Sequence, residues 1–236
     1  MRAIILAGGK GTRLAPYTTV LPKPLMPIGD MPILEVVLRQ LAYHHFEDVT
    51  LAVGYLAELL MAYCGDGSKF GLKIRYSREE QPLGTAGPLG LIRDLNETFL
   101  VMNGDLLTTL DYQALYHYHR ERGAIATLAA RQREVKIDLG VIEVDEDYWL
   151  KDYIEKPTYR YTVSTGVYIF EPEVLNFIEP DRRLDLPDLV LRLKEQGERI
   201  NIYPFSGYWL DIGRHDDYAV AVDEFTRHRA EFLPGS

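Results

Sequence analysis

Short β-branched or apolar runs alternate with longer amphipathic stretches through the first half of this 236-residue chain. We expect buried strands at residues 3–6, 49–53, 72–76 and 98–102. We expect helices at residues 32–43, 57–63 and around 88–95. Strands separated by helices in this rhythm predict an α/β fold with a mostly parallel sheet and right-handed crossovers.

In the second half of the chain, predicted strands follow one another with few helices between them. We expect strands at residues 125–130, 140–144 and 162–170, then helices at 187–196 and 216–229. Antiparallel hairpins of this kind would extend the sheet into a small β lobe. The expected fold class is therefore α/β, with a Rossmann-like, mostly parallel sheet flanked by helices and a small antiparallel lobe.

Length and charge limit the classes of function. No linker or low-complexity stretch divides residues 1–236, which predicts a single domain. The formal net charge of −9 argues against general binding to nucleic acid or an anionic membrane. A single cysteine, Cys64, excludes an internal disulfide and a cysteine-based zinc site. Because residues 1–9 hold too short an apolar run for a signal peptide and no stretch is long enough to span a membrane, we expect a cytoplasmic protein.

A glycine-rich segment directly follows the first predicted strand. Gly8, Gly9 and Gly11 let backbone N–H groups turn toward an anion that Cβ atoms would obstruct. The segment is neither a P-loop, because Lys10 precedes Gly11, nor a dinucleotide fingerprint, because Leu14 stands where a glycine is needed. The alternative for the glycines alone is an ordinary tight turn.

Two basic residues follow this segment. Prolines on both sides of Lys23 fix an extended path and hold the lysine in place. Arg13 offers a planar fork and Lys23 a compact charge, so the two residues could converge on a polyphosphate.

The residues of this segment resemble the signature of the sugar-1-phosphate nucleotidyltransferases. The resemblance begins with Leu6-Ala7-Gly8-Gly9-Lys10-Gly11-Thr12-Arg13-Leu14 and Pro22-Lys23-Pro24-Leu25. It continues, in the order of the family, through residues 82–87, 103–105, 155–157, 164–166 and 209–213. Within the family the pattern is most similar to mannose-1-phosphate and manno-heptose-1-phosphate guanylyltransferases.

The resemblance implies a set of nucleotide-binding residues and two catalytic residues. Arg13 and Lys23 are the expected catalytic residues. The expected nucleotide-binding residues are Leu6, Ala7, Gly8, Gly9, Gly11, Thr12, Arg13, Gln81, Gly84, Thr85, Asn103 and Gly104. A helix starting near Thr85 could also face phosphate. We expect residues 1–110 to form the NTP-binding half and residues 111–236 the sugar-phosphate half.

Two aspartates are the expected metal ligands. Asp105 comes just after a predicted strand, where a metal ligand of an α/β sheet belongs, and Asp211 lies between Trp209 and Gly213. Each aspartate alone would be read as a turn residue, and the resemblance implies that both bind Mg²⁺. Mg²⁺ commonly takes one or two protein carboxylates and completes its shell with water and phosphate oxygens.

The resemblance also implies a sugar-phosphate site in the second half. Lys156 would contact the sugar phosphate and Glu155 a sugar hydroxyl, and Gly140, Thr165 and Gly166 would form the rest of the pocket. Without the resemblance, Glu155 and Lys156 would be read as a surface pair.

The nucleobase and sugar are less constrained. Residues 83–89 resemble the guanylyltransferase version of the family, and Glu79 and Glu80 could accept hydrogen bonds from a guanine edge. We therefore favour GTP with mannose or manno-heptose 1-phosphate over dTTP, UTP or CTP with glucose 1-phosphate or another substrate. His117 and His119 are expected to be solvated on a helix.

Two rival functions stay open. One is an enzyme of the same fold that acts on an alditol phosphate or on choline phosphate. The other is a non-catalytic, nucleotide-sugar-sensing subunit, although Arg13, Lys23, Asp105 and Asp211 are all present. Many relatives continue into a left-handed β-helix, which we expect to be absent here, and a homodimer is an open alternative for assembly.

Overall fold

The computed structural model describes residues 1–235 and contains thirteen strands and six α-helices in that range. The strands are β1 (Arg2–Ala7), β2 (Pro27–Ile28), β3 (Met31–Pro32), β4 (Asp48–Val53), β5 (Lys73–Arg78), β6 (Phe99–Asn103), β7 (Leu106–Thr108), β8 (Ala126–Lys136), β9 (Val141–Val144), β10 (Leu150–Ile154), β11 (Thr158–Phe170), β12 (Ile200–Pro204) and β13 (Trp209–Asp211). The helices are α1 (Ile33–Tyr43), α2 (Ala57–Cys64), α3 (Tyr112–Arg122), α4 (Leu186–Glu195), α5 (His215–Arg227) and α6 (Arg229–Phe232). Within the described chain, no helix is both long and apolar enough to cross a membrane.

A seven-stranded sheet forms the centre of the molecule, in the order β12-β8-β11-β6-β1-β4-β5. Strands β6, β1, β4 and β5 are parallel neighbours, and β12 pairs parallel with β8. Strand β11 pairs antiparallel with both β6 and β8, so it alone among the seven runs against the others. The Rossmann-like, mostly parallel sheet predicted from the sequence is confirmed.

Strand β1 shows how the sheet separates two cores. Successive side chains of a strand point to opposite faces. Ala3, Ile5 and Ala7 pack into a cluster with α1 and α2, whereas Ile4 packs on the other face with residues of α4. All four side chains are buried, which is why this strand reads as a continuous apolar run.

A third apolar cluster lies below the glycine-rich segment. Leu14, Met26 and Ile28 pack there against Ile212 and Phe225 of the C-terminal part of the chain. This packing joins the segment that carries Arg13 and Lys23 to the segment that carries Asp211.

One predicted helix of the first half is wrong. Residues 88–95 were expected to be helical, but the chain forms only a short 3₁₀ helix at Gly87–Leu91. The N–H groups of Ala86 and Gly87 both donate to the carbonyl of Leu184, at 2.9 and 3.1 Å. The start of this segment is therefore tied to the distant loop that precedes α4, and two glycines within it disfavour a longer α-helix. Thr85 accordingly does not start an α-helix.

The second half contains the expected antiparallel extension, together with three strands that the sequence pattern did not reveal. Strands β8 and β11 pair over ten positions, from Thr158 with Lys136 to Phe170 with Ala126, with a register shift between Ser164 and Tyr168. Their outer halves leave the main sheet and lead into the hairpin β9–β10. The strands that were not predicted are β10, β13 and β12, the last of which lies at the edge of the main sheet.

Candidate functional site

Three glycines mark the edge of the sheet where the parallel strands β1, β4 and β6 end. Gly8 directly follows β1, Gly54 follows β4 and Gly104 follows β6. The N–H of Tyr55 donates to the carbonyl of Gly8 at 3.1 Å, and the N–H of Gly104 donates to the carbonyl of Leu6 at 3.0 Å. The carboxyl edge of such a sheet is where ligands bind in open α/β folds.

A large cavity of about 1150 Å³ opens at this edge. Its lining comes from the turns after β1, β4 and β5 and from the 3₁₀ segment that follows. The lining residues are Leu6, Gly8, Gly9, Lys10, Ala52, Gly54, Tyr55, Arg78, Glu79, Glu80, Gln81, Pro82, Gly84, Thr85 and Pro88. Six of the expected nucleotide-binding residues thus line one cavity, namely Leu6, Gly8, Gly9, Gln81, Gly84 and Thr85.

A smaller pocket of about 270 Å³ adjoins the large cavity. It is lined by Ala7, Gly9, Gly11, Thr12, Arg13, Lys23, Pro24 and Asp105. Gly9 lines both, so the two spaces meet at the glycine-rich segment. The site thus has a wide cavity and a narrow pocket. The narrow pocket contains two cations, Arg13 and Lys23, and one carboxylate, Asp105.

Lys23 is held at the floor of the small pocket. Pro22 is extended, with φ −62°, and Lys23 begins a 3₁₀ turn that continues to Leu25. The lysine is buried at 8% exposure. Its Nζ makes an ion pair with the Oδ2 of Asp105 and lies 3.9 Å from the Oδ1 of Asp211.

Strand pairing brings the two aspartates together. Strand β13 pairs antiparallel with β7, and Asp211 is the register partner of Leu106, the residue after Asp105. The N–H of Ile212 also donates to the carbonyl of Asp105, at 3.3 Å. Residues 106 positions apart in sequence therefore form one acidic pair.

The electrostatics of this pair favour a bound cation. Burial, together with the negative charge of Asp105, raises the pKa of Asp211 above its usual value. The Oδ1 of Asp105 is buried and accepts no hydrogen bond from any residue that the structure describes. Mg²⁺ prefers oxygen ligands and commonly takes only one or two protein carboxylates, so the pair Asp105 and Asp211 is sufficient in number. Larger ligand clusters, with three or more His, Cys, Asp or Glu side chains, do not occur within residues 1–235.

Arg13 completes the group of charges. A Cβ placed on Gly213 would lie 3.3 Å from both the Nη1 of Arg13 and the Oδ2 of Asp211. The positive charges of Lys23 and Arg13 therefore both oppose the rise in the pKa of Asp211. Two cationic side chains and two carboxylates therefore lie close together, namely Arg13, Lys23, Asp105 and Asp211.

Two of the expected nucleotide-binding residues have structural partners. The hydroxyl of Thr85 accepts a hydrogen bond from the N–H of Leu186 at 2.7 Å, and the N–H of Thr85 donates to Asp185 at 3.1 Å. Gly84 has φ +80°, and a Cβ there would lie 2.5 Å from the carbonyl oxygen of Leu184. Both residues line the cavity while fixing its wall to the start of α4.

Glu79 is held against the glycine-rich segment. Its Oε2 accepts a hydrogen bond from the N–H of Leu83 at 3.0 Å. A Cβ on Gly8 or Gly54 would lie 2.5 or 2.8 Å from its Oε1. Glu79 is thus half-buried and wedged between two turns, whereas Glu80 is exposed.

The structure places the expected sugar-phosphate residues in two different settings. Glu155 and Lys156 are exposed, with 3.8 Å between the Lys156 Nζ and Glu155 Oε1, and they do not line either pocket. Thr165 is fully buried, and its hydroxyl donates to the carbonyl of Ala129 at 2.8 Å. Its side chain therefore supports the sheet and does not face a pocket.

The two glycines of this set make close contacts. A Cβ on Gly166, which has φ +75°, would lie 2.9 Å from the Nδ2 of Asn103, so this glycine adjoins an expected nucleotide-binding residue. A Cβ on Gly140 would clash with the ring of Tyr153, whose hydroxyl donates to Glu155 at 3.1 Å. Gly140 therefore lies close to Tyr153 and, through it, to the turn that contains Glu155 and Lys156.

Several residues of the large cavity were missed by the sequence analysis. Lys10, Tyr55 and Arg78 line it but were not assigned a role. Tyr55 comes two residues after β4, and Arg78 is the last residue of β5. Because carboxyl ends of parallel strands share one edge, the position of Tyr55 and Arg78 after predicted strands was the signal that could have found them.

The expectation of a solvated His119 is wrong, whereas His117 is exposed. His119 is 1% exposed, with its Nδ1 2.8 Å from the Thr127 hydroxyl and its Nε2 3.2 Å from Glu171. Burial lowers the pKa of His119, and the Glu171 carboxylate partly opposes that shift. The ring joins α3 to the main sheet away from the two pockets.

Comparison with known families agrees with this geometry. The profile of the family described as "Nucleotidyl transferase" matches residues 2–228. The chain belongs to this family.

The relatives carry several base specificities in their names. The chain is 37% identical to "UTP--glucose-1-phosphate uridylyltransferase" of Synechocystis sp., over 94% of the chain and 62% of that protein. It is 36% identical to "Mannose-1-phosphate guanylyltransferase catalytic subunit beta" of Drosophila pseudoobscura pseudoobscura, over 94% of the chain and 61% of that protein. This member of the family therefore spans about three fifths of the length of these two relatives.

Solved structures share the fold. A putative glucose-1-phosphate thymidylyltransferase from Bacillus anthracis, in complex with a sucrose, superimposes with a TM-score of 0.76 at 26% identity, covering 94% of each chain. HddC from Yersinia pseudotuberculosis, complexed with GMP-PN, gives a TM-score of 0.71 at 24% identity, over 95% of this chain and 99% of the other.

Proposed function

We propose that the chain transfers a nucleoside monophosphate from an NTP to a sugar 1-phosphate and releases pyrophosphate. The observation that carries the proposal is the junction at Gly9 of a wide cavity with a narrow pocket that contains Arg13, Lys23 and Asp105. The wide cavity suits a nucleoside, and the narrow pocket suits its phosphates. Membership of the nucleotidyl transferase family supports the same reaction class.

The chemistry requires orientation and charge more than proton transfer. An oxygen of the sugar phosphate attacks the α-phosphorus of the NTP in line with the departing pyrophosphate. That oxygen is already ionised, so no general base is needed. Arg13 and Lys23 lower the repulsion between the two anions and stabilise charge on the phosphates as the bond to pyrophosphate breaks.

Asp105 and Asp211 are the residues that would hold Mg²⁺. When bound, the ion supplies positive charge to the phosphate oxygens. The two carboxylates fit this role because they are neighbours and because Asp105 keeps one buried oxygen without a hydrogen bond. Lys23, already paired with Asp105, stays beside the same phosphates.

We place the sugar-phosphate site at the turn between β10 and β11, which contains Glu155 and Lys156. Lys156, with φ +45°, stands in a corner between Glu155 and Pro157 and offers an exposed charge to a phosphate. Glu155, oriented by the Tyr153 hydroxyl, is the proposed partner of a sugar hydroxyl. Thr165 is buried and Gly166 has no side chain, so both can contribute only backbone groups to this site.

GTP and mannose 1-phosphate, or a manno-configured heptose 1-phosphate, are the favoured substrates. The relative "Mannose-1-phosphate guanylyltransferase catalytic subunit beta" of Drosophila pseudoobscura pseudoobscura supports this choice at 36% identity. Glu80 is exposed at the cavity and can accept hydrogen bonds from a guanine edge. UTP with glucose 1-phosphate is the second candidate, on the 37% identity to the uridylyltransferase of Synechocystis.

A matrix of four NTPs and dTTP against several sugar 1-phosphates, read by pyrophosphate release with Mg²⁺, tests the proposal. We expect release only when an NTP and a sugar 1-phosphate are both present, with GTP and mannose 1-phosphate the fastest pair. A fastest reaction with UTP and glucose 1-phosphate would favour the second candidate. If no pair released pyrophosphate, the chain would be better explained as a nucleotide-sugar-sensing subunit.

The same assay tests the sugar-phosphate site. With the fastest pair, Lys156→Ala should raise the KM for the sugar phosphate and leave the KM for the NTP near its original value. Lys194→Ala, an exposed lysine on α4, is the matched control. An effect of Lys156→Ala confined to the NTP would contradict the placement.

A further inference from the structure

Tyr55 spans the segment that carries Arg13. Its N–H donates to the carbonyl of Gly8 at 3.1 Å, and its hydroxyl donates to the carbonyl of Thr19 at 3.0 Å. The residue follows β4, is half-buried and lines the large cavity. One side chain of the cavity wall is therefore bonded to the backbone beyond Arg13. We call residues 12–20 the Arg13 segment.

The Arg13 segment has little regular structure of its own. It contains two short 3₁₀ turns, Thr12–Leu14 and Tyr17–Thr19, and turns of this kind have poorer hydrogen-bond geometry than an α-helix. Leu14 and Thr18 are its buried residues, and the others are exposed. The conformation of the segment therefore depends on bonds from neighbouring elements.

Two side chains from other elements bond to carbonyl groups of this segment. Besides Tyr55, His215 does so at the start of α5, where its Nε2 lies 2.9 Å from the carbonyl of Ala15. His215 lines neither the large cavity nor the small pocket. Tyr55 differs from His215 because it also faces the space in which we place the nucleoside.

The guanidinium of Arg13 depends on the same backbone for its position. In the described part of the chain it makes no hydrogen bond and no ion pair, and Arg13 is exposed. A movement of the segment would therefore move this charge within the small pocket, which Arg13 lines. Misplacement of a group by about 1 Å can reduce a rate roughly a hundredfold.

We propose that Tyr55 is a positioning residue for the transfer reaction, an inference that rests on the proposed function. Its hydroxyl holds the Arg13 segment in the position that the α-phosphate requires, and its ring contacts the nucleoside of the bound NTP. Among the described residues that line the large cavity, Tyr55 is the only aromatic one. Every nucleobase has a π face, so an aromatic side chain suits this contact.

Tyr55→Phe separates the hydroxyl from the ring. Loss of one hydrogen bond should speed amide hydrogen exchange in residues 12–20 and lower kcat, each about fivefold. The KM and Kd for NTP should stay within about twofold of the wild-type values, because the ring is kept. Tyr118→Phe is the matched control, since the Tyr118 hydroxyl also donates to a carbonyl, that of Ile202, at 3.0 Å and Tyr118 lines neither pocket.

Tyr55→Leu removes the ring as well. With the NTP that wild-type protein binds most tightly, its Kd should be about tenfold higher than that of Tyr55→Phe, because the contact with the nucleoside is lost. Titration calorimetry measures both values. Far-UV circular dichroism confirms that each variant is folded before the values are compared.

Three results would overturn the proposal. The first is wild-type exchange and turnover in Tyr55→Phe, and the second is wild-type affinity for NTP in Tyr55→Leu. The third is an equal loss of kcat in Tyr55→Phe and Tyr118→Phe. Exchange and binding are measured without turnover, so they remain informative whatever the reaction is, and pyrophosphate release by wild-type protein tests the proposed function separately.

Discussion

Lys23 and Asp105 form an ion pair at the floor of the small pocket, and both side chains are largely buried. Asp211 approaches the same lysine to 3.9 Å. One lysine thus lies between two carboxylates and supplies a counter-charge to both. This relationship links the stability of the site to its proposed reaction.

Replacing Lys23 by methionine should therefore destabilise the metal-free protein. The substitution leaves the buried charge of Asp105 without its counter-ion and facing Asp211, and we expect a loss of about 1–3 kcal/mol in the free energy of unfolding. Denaturant unfolding in EDTA measures this loss. Lys10→Met removes an exposed lysine from the same region and should change stability far less. Equal stability of the two variants would contradict the role of Lys23 as counter-ion.

Asp105→Asn should abolish turnover while the fold is kept. The amide removes one negative charge from the proposed metal ligands, so Mg²⁺ should no longer raise the melting temperature of the protein. Thermal melts with and without Mg²⁺, beside the pyrophosphate assay, make the comparison. Asp138→Asn, at an exposed position, is the control. Normal turnover by Asp105→Asn at ordinary Mg²⁺ would rule out the metal assignment.

Alanine substitutions at Gly8 and Gly9 should have different effects, the first on stability and the second on NTP binding. A Cβ on Gly8 would meet the Glu79 carboxylate at 2.5 Å, so Gly8→Ala displaces Glu79 from its bond to Leu83 and should cost about 1 kcal/mol of stability. A Cβ on Gly9 meets no protein atom within 4 Å. Gly9→Ala should therefore fold normally.

Binding of NTP, measured by titration calorimetry, completes that comparison. Gly9 lines both pockets, so its new methyl group should obstruct the phosphates and raise the Kd at least tenfold. If Gly9→Ala bound NTP as tightly as wild-type protein, the phosphates would have to lie elsewhere.

His119 should make stability depend on pH. Burial lowers its pKa in the folded protein, so the unfolded chain binds the proton more readily. Stability is complete above the ordinary histidine value of about 6.5 and falls as the pH drops below it toward the folded pKa. Unfolding at pH 7.5, 6.5 and 5.5 should show this decline in wild-type protein and a shallower one in His119→Asn. His117→Asn, on the same helix but exposed, should keep the wild-type slope. A steeper decline in His119→Asn would contradict this account.

Local patterns explain why much of the fold was predictable. The strand β1 and the glycines after it depend on neighbouring residues, and their positions agree with the sequence analysis. Parallel topology then identifies the carboxyl edge of the sheet as the place for a site.

Long-range pairing explains what the sequence could not provide. Asp211 reaches Asp105 only because β13 pairs with β7 in one register, which no local pattern reveals. The hydroxyl of Thr85 binds the N–H of Leu186, 101 residues away. His119 can be buried because its two ring nitrogens have hydrogen-bond partners on other elements, Thr127 and Glu171. In each case a distant partner decides the role of the residue.

The fate of a label on the α-phosphorus of GTP tests the central claim most directly. With mannose 1-phosphate and Mg²⁺, we expect the label to appear in the nucleotide sugar while pyrophosphate is released unlabelled. Asp105→Asn should show no such transfer. Transfer of a γ-label to the sugar, or release of orthophosphate in place of pyrophosphate, would contradict attack at the α-phosphorus.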